Sequence, residues 1–113
     1  MRFLILLLAA TSLATAADIS GDWSIDGDVQ SNPVTLKCSV QHASDGKITG
    51  KCTLNGNLSV EIVGEATEDK IQFSFEASGY RLDYSGEVDS KSMKGGIAVA
   101  GTTGTFAGKR AAE

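Results

Sequence analysis

Ile19-Ser20-Gly21-Asp22-Trp23-Ser24-Ile25 is the stretch on which the reading of this chain depends. Ile19, Gly21, Trp23 and Ile25 share one parity and Ser20, Asp22 and Ser24 the other, the alternation of a half-buried β-strand with its apolar side turned inward. The pattern recurs along the rest of the chain. Val34, Leu36, Cys38 and Val40 alternate with Thr35, Lys37, Ser39 and Gln41, and beyond Ser44-Asp45-Gly46 the parity resumes as Ile48, Gly50, Cys52 and Leu54. A three-residue connection with a left-handed Gly46 suits a type I turn followed by a G1 bulge, and in that register Cys38 faces Cys52.

Five further runs repeat the alternation. They present Leu58, Val60, Ile62, Gly64 and Ala66, with Val63 alone out of pattern; then Ile71, Phe73, Phe75 and Ala77; then Leu82, Tyr84, Gly86 and Val88. Met93, Gly95, Ile97 and Val99 follow, and Gly104, Phe106, Gly108 and Arg110 close the series. Short polar turns separate the runs, and no stretch has helical apolar spacing. Sequential strands joined by tight turns pair with their neighbours. Each strand has a single apolar face, so closing the sheet on itself buries all of them in one core and removes both edges. The predicted fold is all-β, an eight-stranded antiparallel up-and-down (meander) β-barrel with one disulfide. The inward glycines suit strongly coiled strands and could also leave room inside.

Residues 1–16 stand apart. Arg2, the apolar run Phe3 to Ala10 and Ala14-Thr15-Ala16 have the three-part form of a secretory signal peptide. The expected organisation is a signal peptide at 1–16 and a single β-barrel domain at 17–113, secreted or periplasmic. The apolar run is far short of the roughly 20 residues that span a bilayer. The remainder, about 97 residues, is enough for one core. Without the leader the charge is near −5, from 14 acidic residues and all but one of the 10 basic ones. That balance opposes attraction to nucleic acid or anionic lipid. The 2 cysteines and 1 histidine fall short of a closed zinc site. In an exported chain the pair therefore reads as a Cys38–Cys52 disulfide.

Gly21-Asp22-Trp23 at the start of the first strand, with Arg110 at the end of the last, resembles the signature of the calycin superfamily, which includes lipocalins, fatty-acid-binding proteins and avidins. The resemblance implies that Gly21, Trp23 and Arg110 close one end of the barrel and that a small apolar ligand enters at the other. In an eight-stranded meander Arg110 arrives beside Trp23, where it can cover the ring as a cation–π lid. The chain lacks a lipocalin's C-terminal helix and a fatty-acid-binding protein's helical lid. With 1 tryptophan it also lacks the aromatic surround that avidins give biotin. The segment from Gly64 to Arg110 is also similar to small exported bacterial barrel domains of unknown role. Ser20-Gly21-Asp22-Trp23 resembles, in addition, the opening strand of bacterial metalloprotease inhibitors, which insert an N-terminal arm longer than this chain would keep after cleavage.

Strand directions put the segments 26–33, 55–57, 78–80 and 101–103 at the open end. These supply Asp26, Asp28, Asn32, Asn55, Asn57, Tyr80 and Thr102 as polar groups that could orient a ligand, with Phe73, Phe75 and Tyr84 in the interior beyond them. Turns call for Asn, Asp and Gly in any case. Asp26, Asp28, Gln30 and Asn32 have the alternation of a calcium loop, but its glycine is misplaced and Lys37 stands where a bidentate glutamate is needed. His42 is expected on the rim of the closed end, away from the mouth. Nucleophile elbows, zinc-protease helices and phosphate loops are missing from the sequence, so no catalytic residue, metal or cofactor is assigned. Asn57-Leu58-Ser59 is a glycosylation sequon in a eukaryotic host. The expected function is a monomeric, exported, non-enzymatic barrel binding a small apolar ligand. The alternatives are a barrel that inhibits a secreted hydrolase, with a secreted protein as partner, and a structural module without ligand.

Overall fold

The structure is a computed structural model and describes residues 18–111. The expected signal peptide lies outside the described residues. Eight strands follow one another as β1 (Gly21–Val29), β2 (Asn32–His42), β3 (Lys47–Leu54), β4 (Leu58–Thr67), β5 (Lys70–Ala77), β6 (Tyr80–Val88), β7 (Ser92–Val99) and β8 (Thr102–Arg110). They form a closed barrel in sequence order, and β8 returns to pair antiparallel with β1. The fold is the expected meander.

The β2–β3 hairpin is built as its turn chemistry requires. Gly46 has φ +94°, its N–H donates to Ala43 O at 3.0 Å, and Ala43 N–H donates to Lys47 O at 2.8 Å. Cys38 lies opposite Cys52, and the two form a disulfide that is 4% exposed on each side. Inward parity is kept around the barrel, and the buried residues form one apolar core.

The first strand is shifted from its expected position. Ile19 and Ser20 precede β1, and β1 continues through Asp26, Gly27 and Asp28 to Val29. The presumed 26–33 loop shrinks to Gln30-Ser31, with Val29 paired to Asn32. Asp and Gly there read as loop formers, yet Ile25, Gly27 and Val29 keep the inward parity while Asp26 and Asp28 face water.

The inward glycines mark where strands coil against each other and do not enlarge the interior. Gly86 and Gly95 are directly paired, and a Cβ on Gly86 would stand 2.7 Å from Gly95 Cα. Side chains cannot be accommodated at so close a backbone approach.

One seam is incomplete. β5 is matched to β6 from Lys70 to Ala77, whereas β4 and β5 pair only from Val63↔Ser74 to Thr67↔Lys70. Continuing that register would set Glu61 opposite Glu76, and like charges directly across a ladder are destabilising. Each glutamate instead has a basic residue across its other edge, Lys51 for Glu61 and Arg81 for Glu76.

Candidate functional site

The two ends of the barrel differ in how their apolar groups are covered. At the end where β8 finishes, Asp18–Ser20 fold across the opening. Ile19 is 1% exposed, and its carbonyl accepts the Trp23 indole N–H at 2.9 Å. The Arg110 guanidinium lies 5.0 Å from the Trp23 ring centroid. Its N–H groups donate to the carbonyls of Asp18 at 2.9 Å, Ser90 at 2.8 Å and Ser20. Three backbone acceptors and an aromatic face thus hold one cation, which locks the plug to the strand ends.

His42 belongs to the same closure and is not a rim residue, since its side chain is only 8% exposed. Nδ1 accepts the Ile19 N–H at 3.3 Å, and Nε2 lies 3.2 Å from Ala66 O. Those partners assign the neutral tautomer with the proton on Nε2. Strand parity turns the ring inward at this end, and residues 18–20 then cover it. The Asp18 carboxyl is held below its ordinary value of 3.8, first by the Ser20 backbone N–H. Asp89 is lowered likewise by the N–H groups of Lys91 and Ser92, which reach its Oδ1 at 2.8 and 2.9 Å.

The opposite end carries four short turns. In each, two consecutive residues have positive φ: Gln30-Ser31, Asn55-Gly56, Ser78-Gly79 and Ala100-Gly101. This is the I′ pattern that matches strand twist. Around them Val34, Leu54, Ala77 and Val99 are only partly buried against the core. Leu58 is 39% and Tyr80 56% exposed. The end is open in the sense that its apolar rim meets water.

Asn32, Asn55, Asn57, Tyr80 and Thr102 do come together at this end, but most of their polar groups serve the turns. Asn55 Oδ1 accepts the Thr35 N–H at 2.8 Å, Thr102 Oγ donates to Val99 O at 2.8 Å, and Asn32 Nδ2 donates to Gln30 O at 3.4 Å. Asp28 accepts the Ser31 N–H at 2.9 Å, while Asp26 faces outward from β1. Among the described residues no three His, Cys, Asp or Glu side chains gather as a metal site.

Below the rim lies an aromatic cluster. The Tyr84 ring stacks on Phe73 at 4.7 Å between centroids, with Phe106 at 4.9 Å and Phe75 at 5.7 Å. All four are buried, Tyr84 at 1% exposure. Phe106 has the expected inward parity, but its place against β5 and β6 follows only from barrel closure. The Tyr84 hydroxyl has no hydrogen-bond partner. Burial pushes its pKa up, so the group remains a protonated donor.

Concavities on the outer wall are of another kind. One of about 620 Å³ spans β3 to β6 and is bordered by Lys47, Glu65, Arg81 and Asp83 around Val63. Ile48, Phe73 and Tyr84 also line it, so its wall mixes charged and apolar groups.

No protein-family model matches the chain, and no match is found among curated proteins. Solved structures share its architecture, these two among them. The redesigned beta barrel b11L5F_LGL superposes with a TM-score of 0.65 at 12% identity, over 83% of this chain and 92% of that one. EF1p2_mFAP2b bound to DFHBI superposes with a TM-score of 0.59 at 12% identity, over 82% of this chain and 94% of that one. At such identity the likeness is one of fold, a small eight-stranded barrel.

Proposed function

We propose that this chain is an exported, non-enzymatic barrel that takes a small, largely apolar molecule through the end bearing the four I′ turns. The observation that carries the reading is the contrast between the ends. Ile19, Trp23 and Arg110 seal one, while Val34, Leu54, Leu58, Ala77, Tyr80 and Val99 leave the other rimmed with partly exposed apolar groups. A barrel of eight strands has an interior that side chains can fill or that can hold one small ligand. Here the aromatic cluster fills it, so ligand would enter as Phe75 and Leu82 move aside beneath the rim. The calycin-like closure and a barrel of the same fold that binds DFHBI support the reading. The outward faces of the strands are polar and charged apart from Pro33, Val63, Gly96, Ala98 and Ala107, unlike the apolar band of a membrane barrel. An inhibitor would use an exposed loop or arm, and the turns among the described residues are too short to supply a long loop.

Native mass spectrometry of the protein purified gently from its own exported fraction tests the proposal. A discrete added mass that disappears on denaturation is expected. A bare mass together with no uptake of a neutral, apolar fluorescent dye overturns it.

A further inference from the structure

The only buried side-chain polar atom without a partner among the described residues is the Tyr84 hydroxyl. Tyr84 sits at the centre of the aromatic cluster, 1% exposed, with three phenyl rings within 6 Å of its own centroid. A phenylalanine at this position would fill the same space without an unsatisfied group. An unpartnered buried hydroxyl is destabilising, and such groups are rare enough in native structures to call for an explanation. Its neighbours narrow the explanation. Phe73, Phe75 and Phe106, the rings around it, provide π-faces, and the hydroxyl finds no acceptor among the described residues, so its partner is a group from outside.

We propose that Tyr84 is the specificity-determining residue of the barrel, its hydroxyl donating to an acceptor oxygen on a flat, aromatic ligand. The inference rests on the binding reading above and adds the ligand's chemistry to it. Stacking against Phe73 and Phe75 selects a planar ring system, and the lone donor in an apolar surround selects a carbonyl or similar neutral acceptor on that ring. A carboxylate would be desolvated with no cation to meet it, because no charged side chain is buried among the described residues. An aliphatic chain would leave the hydroxyl as it is.

The test uses two probes of one shape, 2-acetylnaphthalene and 2-isopropenylnaphthalene, which differ in a carbonyl oxygen against a methylene. Each is titrated calorimetrically into the full-length mature protein and into its Tyr84→Phe variant. The intact protein is expected to prefer the ketone by about two- to twelvefold, the range of one net hydrogen bond, and the variant to bind both alike. Equal binding of the two probes by the intact protein, or a ketone preference that survives in Tyr84→Phe, overturns the role of Tyr84 and leaves ligand binding standing. No binding of either probe to either protein overturns the binding reading and this inference with it. Thermal unfolding without ligand gives a second check. Tyr84→Phe is expected to melt higher than the parent, and a lower melting point would show that the hydroxyl already has a partner within the protein, which also overturns the inference.

Discussion

Gly21 satisfies a backbone requirement and a steric one at once. Its φ is +128°, a region that side-chain-bearing residues rarely enter, and a Cβ there would stand 2.7 Å from the Arg110 guanidinium. Gly21→Ala is therefore expected to cost about 1–3 kcal/mol in backbone strain, with a further loss if Arg110 leaves the carbonyls it holds. Urea unfolding of the variant checks this, and a midpoint unchanged from the parent would remove Gly21 from the closure. The calycin resemblance pointed to Gly21, Trp23 and Arg110 together, and the meander brings the last strand's end beside the first strand's start, where Arg110 meets Trp23. The inward side of Ile19 was legible from strand parity, but its meeting with His42 was not. Their contact depends on three residues outside any strand that fold across the barrel end, and no periodicity encodes that path. The mouth polar groups were legible as to place, while their use was not. An Asn that could orient a ligand and an Asn that caps a turn look alike until the Thr35 N–H is found on Asn55.

At the scale of elements, the split between β4 and β5 is the barrel's least secured wall. Its hairpin is joined at Glu68-Asp69, but the ladder stops at Val63↔Ser74 and leaves Leu58–Ile62 and Phe75–Ala77 without cross-seam pairs. The three large exposed apolar residues, Leu58, Val63 and Tyr80, lie on β4 and at the start of β6, on either side of that wall. Backbone amides with fewer ladder bonds open more readily. Hydrogen exchange should therefore be faster at Phe75–Ala77 than at Lys70–Phe73, and Glu61→Thr should slow it by removing the repulsion facing Glu76. Uniform protection along β5 would show that the seam is closed in solution. The strands were legible from alternation alone, and the β2–β3 register from Gly46 and the cysteines. The Glu61 and Glu76 conflict was not, since it exists only once the β4–β5 register is known. The end of β1 was misjudged because Asp and Gly were weighed as loop formers, although parity ran on through them to Val29.

For the whole molecule, closure leaves unpaired edge only along the β4–β5 split, and the ends of the described chain meet: Ala111 N–H donates to Asp22 O at 2.8 Å. A chain of this size has about 5–14 kcal/mol of stability to lose. The Cys38–Cys52 bond joins residues 14 apart and lies inside the core, so it restricts the unfolded chain while resting on a register the hairpin already adopts. Its contribution on the chain-entropy account is about 3 kcal/mol, less than the total. The Cys38→Ala/Cys52→Val variant is thus expected to fold to the same barrel and to melt about 15 °C lower. Thermal unfolding followed by circular dichroism measures the shift. An unchanged melting point would mean that the unfolded chain is already compact around this hairpin, with nothing left for the bond to restrict. A variant that does not fold at all would mean that the meander cannot close without a covalent hold on β2 and β3. The first outcome would locate the order of the barrel in its turns and parity, and the second in the cross-link. The expected intermediate result follows from a register specified twice, by Gly46 and by the cysteines, so that either specification can hold it when the other is removed.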